Sequence, residues 1–213
     1  MKLTGKIKKW FNPNTKEYWD NLYLSETEIG KIRQDKSVLR LVPLLENKKN
    51  ILDFGCGTGG NVKLLSQQLS GKNFFLLDHS TKVLEFAENI YLKEKDDNGN
   101  CFHYFTDLSE INRTKFDAII SIQVLEHITD YSSVLNSFWE LLEENGIMII
   151  SVPVRGWLDS NREHVNKFTV KSMLNILSEY SEWVQISPRT YSKRSGKLTT
   201  AFFYIIKEGN PLK

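Results

Sequence analysis

A glycine-rich stretch, residues 53–59, has the residue types and spacing best suited to binding a ligand. It reads Asp-Phe-Gly-Cys-Gly-Thr-Gly and lies between a short apolar run and a segment whose apolar residues recur at helical spacing. Glycines allow a bulky ligand to approach the backbone and allow turn angles that side chains forbid. A helix that begins just after such a turn presents unpaired N–H groups and a partial positive charge. The pattern predicts a nucleotide-binding strand–turn–helix unit.

The residue that opens this turn decides which nucleotide is expected. Gly55, Gly57 and Gly60 satisfy the dinucleotide fingerprint G-x-G-x-x-G. Asp53, however, is poorly placed for a pyrophosphate and suits a cationic ligand such as a sulfonium with a free amino group. Residues 53–59 resemble motif I of the class I S-adenosylmethionine-dependent methyltransferases. The resemblance implies that S-adenosylmethionine is bound by Asp53, Gly55, Cys56, Gly57, Thr58 and Gly59.

Further candidates for cofactor binding follow the next predicted strands. Asp78 ends the apolar run 74–77, about twenty residues after the turn, where an acidic residue reaches ribose hydroxyls in nucleotide-binding α/β folds. His79 adjoins it and is assigned to the same site. The resemblance implies that Asp107 binds the adenine amino group and that the N–H of Leu108 meets a ring nitrogen. It also places Gln123, after the fourth strand, beneath the methionine end of the cofactor.

Two histidines are candidates for taking a proton from the methyl acceptor. Methyl transfer is an in-line displacement at an already activated sulfonium carbon, so the protein mainly positions the acceptor and removes its proton. His127 is the first candidate, because its unperturbed pKa of about 6.5 suits the task. His164 is the second. Each is equally compatible with a structural role in which the ring bonds to a carbonyl.

The predicted acceptor site combines a long loop with an N-terminal aromatic cluster. Residues 154–167 leave the fifth predicted strand at its carboxyl end, where ligands bind in open α/β sheets. This loop mixes cations, an aromatic ring and hydrogen-bonding groups, which suits a polar or anionic acceptor, and we predict contacts from Arg155 and Trp157. In the N-terminal cluster, Tyr18 and then Tyr23 are the candidates; the cluster consists of Trp10, Phe11, Tyr18, Trp19 and Tyr23. The alternatives are a surface loop and aromatic packing against the sheet.

Residues beside the first candidate base could also form a metal site, but none is predicted. Glu126 and His127, with a later histidine, resemble the metal site of the ubiquinone-pathway O-methyltransferases and the small-RNA terminal 2′-O-methyltransferases. The segment of those enzymes reads Glu-x-x-Glu-His, whereas this chain has Gln123 at the first position. A neutral amide is a ligand that hard divalent cations seldom prefer. The expectation is therefore no metal.

The remaining pattern predicts the elements that position these residues. Apolar runs alternate with helical segments as far as residue 153, which predicts parallel βαβ units. Residues 183–186 and 198–206 then follow each other without a helix, which predicts an antiparallel pair. The fold class is α/β, a Rossmann-like seven-stranded, mostly parallel sheet with an antiparallel last strand and helices on both faces. Residues 1–45, with a helix over 29–45, are predicted to form an N-terminal helical cap, and residues 46–213 the S-adenosylmethionine-binding domain.

Composition limits the classes of function. A net charge of +2 over 213 residues is too mild to argue for nucleic acid, so a nucleic-acid partner is not expected. No apolar run reaches the length of a membrane span, and no signal peptide precedes the domain, so a cytoplasmic protein with no membrane partner is expected. The function predicted is S-adenosylmethionine-dependent methyl transfer to an oxygen or nitrogen of a small-molecule acceptor. An RNA 2′-O-methyltransferase-like enzyme and a non-catalytic S-adenosylmethionine-binding protein are the alternatives.

Overall fold

The chain folds around one seven-stranded sheet. The computed structural model describes residues 14–28, 34–93, 98–111, 114–192 and 195–208. The strand order is β3-β2-β1-β4-β5-β7-β6, and β7 runs antiparallel to both of its neighbours while the first five strands are parallel. The predicted fold class is confirmed. The strands are β1 (Asn50–Phe54), β2 (Asn73–Leu77), β3 (Cys101–Phe105), β4 (Phe116–Ile122), β5 (Leu142–Pro153), β6 (Val184–Tyr191) and β7 (Leu198–Ile206).

Helices cover both faces of this sheet. Consecutive strand residues point to opposite faces, so Ile51 joins one apolar core with the helices that follow β1 and β2, and Leu52 joins the other core with the helices that follow β4 and β5. Short 3₁₀ turns lie at residues 36–41, 108–110, 125–127 and 156–158. The helices are α1 (Lys16–Glu28), α2 (Val42–Leu45), α3 (Gly60–Ser66), α4 (Thr81–Lys93), α5 (Tyr131–Leu141) and α6 (Val170–Leu177).

Side-chain caps start three of the helices. The Ser80 hydroxyl accepts the Val83 N–H at 3.3 Å at the start of α4, and the Asp130 carboxylate accepts the Ser133 N–H at 3.1 Å at the start of α5. Thr169 opens α6 with a reciprocal capping box. Each cap satisfies a backbone donor that the helix itself cannot pair.

Two predicted boundaries are wrong. The helix expected over residues 29–45 is a 3₁₀ turn (Lys36–Leu41) followed by the single turn of α2, and residues 29–33 lie outside the described part. Asp35 starts the 3₁₀ turn by accepting the Ser37 N–H, and Pro43, which has no N–H, falls in the first turn of α2, where that donor is not needed.

The second wrong boundary concerns the end of α5. The Asn-Gly pair at residues 145–146 predicts that the helix ends there, but α5 ends at Leu141, because the chain enters β5 directly at Leu142. Asn145, at φ 62°, instead lies where the β4–β5 register shifts, since Phe116 pairs with Leu142 but Ala118 pairs with Ile147. An asparagine tolerates the left-handed conformation that this irregularity requires.

No helix within the described ranges is both long enough and apolar enough to cross a membrane.

Candidate functional site

The turn after β1 folds back onto the end of β2. Gly55, Gly57 and Gly59 all have left-handed φ values, of 73°, 54° and 73°. The N–H groups of Gly55 and Cys56 donate to the Leu77 carbonyl at 2.7 and 3.0 Å. These positive φ values explain the glycines of the motif in terms of backbone geometry.

Gly55 has a second reason to lack a side chain. A Cβ at this position would collide with Cγ2 of Val124 and lie 2.9 Å from its Cγ1. Val124 belongs to the segment that follows β4, so the absence of a side chain at Gly55 lets two segments at the sheet edge pack against each other. The motif alone explained this glycine by the approach of a ligand and gave no sign of the contact with Val124.

Asp53 is a buried carboxyl group with an unsatisfied oxygen. Its side chain is 3% exposed, and Oδ2 has no hydrogen-bond partner among the described residues. Burial, and then the charge of Asp78, raises the pKa of Asp53 to about 7. A buried acceptor without a partner is costly, and a cationic amino group is the kind of donor that would relieve it. The residue therefore fits the role predicted for it at the cationic end of S-adenosylmethionine.

Asp78 holds two backbone segments together. Its Oδ2 accepts the Gly57 N–H and its Oδ1 accepts the Ser80 N–H, both at 3.0 Å. Burial raises the pKa of Asp78, and these two hydrogen bonds oppose that rise. Each carboxylate oxygen can accept a second hydrogen bond, so the bonds already present are compatible with the predicted contact to ribose hydroxyls.

Asp107 also organises the local backbone. Its carboxylate accepts the Ser109 N–H at 2.8 Å, which starts the 3₁₀ turn that contains Leu108. The hydrogen bonds from Ser109 lower the pKa of Asp107, so this residue presents an anionic acceptor. The predicted contact with an amino group requires an acceptor of this kind.

A cavity of about 480 Å³ opens at the carboxyl ends of β1, β2, β3 and β4. Of the residues predicted to bind the cofactor or to catalyse, it brings together seven: Gly55, Asp78, His79, Asp107, Leu108, Gln123 and His127. The rest of the turn, including Asp53, lies outside its walls. The other lining residues are Asn14, Trp19, Phe54, Leu77, Thr106, Val124, Ile128, Thr129 and Val134.

His127 is held in the cavity wall by the Glu163 carbonyl and by two neighbouring rings. Its Nδ1 lies 3.1 Å from the Glu163 carbonyl. A carbonyl only accepts, so Nδ1 carries the proton and Nε2 has the lone pair. The ring packs edge-on against Trp19 and His164, with centroids 5.0 and 4.8 Å away. Burial, and then the neighbouring His164, lowers the pKa of His127 to about 4.

The comparison with known proteins fits this geometry. A family model described as a methyltransferase domain matches residues 27–182, well over half of the chain. The chain belongs to the class I S-adenosylmethionine-dependent methyltransferases. Its cofactor is S-adenosylmethionine.

Individual curated relatives extend well beyond the part that this chain matches. An uncharacterized protein of Haemophilus influenzae is 30% identical over 152 residues, which cover 70% of this chain and 59% of the relative. The ubiquinone biosynthesis O-methyltransferase of Haemophilus ducreyi is 30% identical over 113 residues, which cover 48% of this chain and 44% of that protein. The chain thus spans about half the length of the curated relatives that it matches.

Among solved structures, one similar fold is phosphoethanolamine N-methyltransferase 2 of Haemonchus contortus in complex with S-adenosyl-L-methionine. The TM-score is 0.69 at 15% identity, over 92% of this chain and 59% of that one. At this identity the likeness shows the fold of the methyltransferase and not its acceptor.

A cluster of potential metal ligands lies beside the cavity of the methyltransferase. The ligand atoms of Glu126, His127 and His164 lie within 4.8 Å of one another. Both Glu126 oxygens are buried without a partner among the described residues, and burial raises the pKa of this carboxyl to about 8. His164 has both ring nitrogens engaged, Nδ1 with the Asp159 carboxylate at 2.5 Å and Nε2 with the Asn161 amide at 3.0 Å. An imidazole with both nitrogens engaged is a poor ligand, so the expectation of no metal stays as a prediction.

The residues predicted to contact the acceptor do not line the cavity. The Tyr18 hydroxyl donates to the Glu163 carboxylate, which raises the pKa of Tyr18. Arg155 is exposed in a bridge to Thr169, and Trp157 is 94% exposed on the 3₁₀ turn. The side chain of Tyr23 lies outside the described residues.

Sequence reasoning missed several residues in the cavity wall. Trp19 was recognised as part of an aromatic cluster but not as a neighbour of His127. The spacing of Val134 places it on the apolar side of its helix, and yet it also lines the cavity. No local signal separates an apolar residue that lines a site from one that fills a core, because both face inwards.

Proposed function

We propose that this methyltransferase transfers the methyl group of S-adenosylmethionine to an oxygen or nitrogen atom of a small-molecule acceptor, with His127 as the general base. The supporting observation is the Nδ1 contact of His127 with the Glu163 carbonyl, in a cavity wall shared with Gly55, Asp78 and Asp107. That contact leaves the lone pair on Nε2 to take a proton.

The charges of the cofactor and of His127 determine how the methyl group and the proton are transferred. S-adenosylmethionine, when bound, would supply an activated methyl group whose transfer leaves a neutral thioether, so the residues of the chain need only position the acceptor and take its proton. With a pKa lowered to about 4, His127 is neutral at physiological pH and always able to accept a proton, although it is a weak base. The attacking atom of the acceptor becomes more acidic as its new bond forms. The proton therefore passes to His127 during that step.

The relatives support both acceptor atoms. One is named as an O-methyltransferase of ubiquinone biosynthesis and another as an N-methyltransferase of phosphoethanolamine. This chain spans about half the length of the curated relatives, so their names alone do not carry the acceptor class. The proposed class rests on the cavity and on these names together.

Calorimetric titration is the first test. Purified protein is titrated with S-adenosylmethionine, S-adenosylhomocysteine and, as a control, NAD. We expect the first two to bind and NAD not to bind. A panel of phenols, amines and a short RNA is then offered with labelled cofactor. Transfer only to RNA, or cofactor binding without transfer to any acceptor, would contradict the proposal.

A further inference from the structure

The turn over residues 159–164 is built from side-chain hydrogen bonds that form a ring. The Asp159 carboxylate accepts the Asn161 N–H at 3.1 Å and, through its other oxygen, bonds to His164 Nδ1 at 2.5 Å. The side chains of Asp159 and His164 are only 10% and 11% exposed. Asn161 closes the ring through its amide, which lies 3.0 Å from His164 Nε2. The turn is therefore fixed from within.

The orientation of the Asn161 amide follows from its two partners. The Glu163 N–H donates to its Oδ1 at 3.0 Å, so its Nδ2 must be the group that faces His164. The amide donates there to Nε2, and His164 Nδ1–H donates to Asp159. Both nitrogens of His164 are thus occupied, which favours His127 over His164 as the base and makes His164 an anchor of the turn.

Glu163 connects this turn to the rest of the site. Its carbonyl accepts from His127 Nδ1 and also from the Asn14 side-chain amide at 2.9 Å. Its carboxylate accepts the Tyr18 hydroxyl of α1. A single residue therefore contacts the imidazole in the cavity wall, the N-terminal segment and, through its N–H, Asn161.

We propose that Asn161 is a positioning residue that, with Asp159, holds the Glu163 carbonyl against His127 and so keeps His127 as the Nδ1–H tautomer, with Nε2 available to the acceptor. These contacts alone assign the tautomer of His127. The role of that tautomer in catalysis rests on the proposed function. The bond that a second partner makes to one imidazole nitrogen decides which nitrogen carries the lone pair.

Nitrogen-15 spectra of the histidine side chains test the proposal without any acceptor. The chain has four histidines, so single substitutions assign the signals. We expect the Nδ1–H pattern for His127 in the wild-type protein. Asn161→Ala should convert it to a mixture of tautomers, because the Glu163 N–H loses its acceptor. The matched control is Asn175→Ala, an exposed asparagine on α6, which should leave the pattern unchanged.

Asn161→Asp separates the two halves of the Asn161 contact. The carboxylate still accepts the Glu163 N–H but can no longer donate to His164. We expect the His127 pattern to be retained and the His164 signals alone to move. An Nε2–H pattern for His127 in the wild-type protein, or an unchanged His127 pattern in a folded Asn161→Ala variant, would overturn the proposal. Should Asn161→Ala fail to fold, a changed His127 pattern in the aspartate variant would overturn it as well.

Kinetics distinguish this inference from the proposed function. With an accepted substrate, Asn161→Ala should lower kcat about tenfold, because a misplaced catalytic group costs rate, while the KM for S-adenosylmethionine stays the same. Full activity in His127→Ala would remove the base assignment and leave the tautomer result standing. An unchanged kcat in Asn161→Ala with a changed tautomer would show that the turn positions a ring that catalysis does not use.

Discussion

Burial decides how the ionisable residues of the site are charged. The pKa of Asp53 is raised to about 7, that of Glu126 is raised to about 8 and that of His127 is lowered to about 4, in each case chiefly because burial penalises the charged form. All three shifts favour the neutral side chain. The site without cofactor therefore carries less charge than its composition indicates, and a cationic ligand would favour ionisation of Asp53.

At this scale, His127→Ala tests the base. We expect kcat to fall by about 10²-fold, the lower end of the usual contribution of a general base, because the lowered pKa makes His127 a weak base, with the affinity for S-adenosylmethionine nearly unchanged. Steady-state kinetics and calorimetry measure the two quantities. His103→Ala, on an exposed position of β3, is the control. Full activity in the His127 variant would retire the assignment.

The raised pKa of Asp53 makes stability depend on pH. Its folded-state pKa of about 7 exceeds the unfolded value, which is about 3.9. Between these values the folded state keeps a proton that the unfolded state has released, so the free energy of unfolding falls as pH rises through this window. The fall is on the order of 1.4 kcal/mol per pKa unit.

Asp53→Asn removes this dependence. The quantity to compare is the free energy of unfolding of the variant minus that of the wild-type protein. In the absence of cofactor, we expect this difference to be larger at pH 8 than at pH 5. Urea denaturation at both pH values measures the difference. Glu85→Gln, on an exposed position of α4, should show no such change. Equal differences at the two pH values would mean that Asp53 ionises normally.

Metal removal tests the cluster of Glu126, His127 and His164. Because His164 has both ring nitrogens engaged, prolonged treatment with a chelator should leave methyl transfer unchanged. Activity is assayed before and after dialysis, with magnesium or zinc added back. A loss restored by one of these ions would show that the ring nitrogens exchange their partners for a metal.

At the scale of elements, the turn after β1 and the segment after β4 depend on each other. Gly55 must be a glycine because of its φ of 73° and because Val124 occupies the space of a side chain. Gln123, the residue before Val124, also has a positive φ, of 60°. Gly55 adopts its φ without strain, whereas Gln123 holds a left-handed conformation that a side chain disfavours, so backbone strain lies on one side of this contact only.

Gly55→Ala should therefore destabilise the fold by more than backbone strain alone. Gly99→Ala is the matched control, since Gly99 has a similar φ of 68° but nothing within 4 Å of the position that a Cβ would take. We expect a further loss of about 1–3 kcal/mol for Gly55→Ala, the usual cost of overpacking. Urea midpoints measure both variants. If the two variants lost equal stability, the collision with Val124 would be irrelevant.

At the scale of the whole molecule, one buried cation ties the N-terminal part of the chain to the last strands. The Arg189 guanidinium pairs with Asp35 and also donates to Ser37 Oγ and Ser151 Oγ, at 3.1 and 3.2 Å. Its side chain is 7% exposed. These contacts join the segment before α2 to β6 and to β5. They fasten the edge of the sheet to an element that is distant in sequence.

Asp35→Ala leaves this guanidinium without its counter-ion. We expect a loss of about 1–3 kcal/mol in the free energy of unfolding, less than for a fully buried pair because Asp35 is 38% exposed. Glu85→Ala, which breaks the exposed pair with Lys82, should cost no more than about 0.5 kcal/mol. Denaturant unfolding compares them. Equal costs would show that burial of Arg189 contributes nothing to the pair.

The strand–helix alternation, the antiparallel last strand and the residues at the carboxyl ends of the strands could all be predicted from the sequence. Those features are local, because apolar periodicity, caps such as Thr169 and the glycines of the turn act over a few residues. Asp78, Asp107 and His127 could be placed at one edge because parallel strands bring their carboxyl ends together.

The surroundings of those residues depend on packing between distant segments, so the sequence could not predict them. The Glu163 carbonyl that orients His127 lies 36 residues away in sequence, and Val124, which follows β4, meets Gly55, which follows the adjacent strand β1. Arg155 and Trp157 were predicted at the acceptor site and lie outside the cavity, because the path of a long loop depends on contacts such as the Asp159–His164 bond. Burial, and with it the ionisation of Asp53, Glu126 and His127, is likewise a property of the packed molecule and not of any segment.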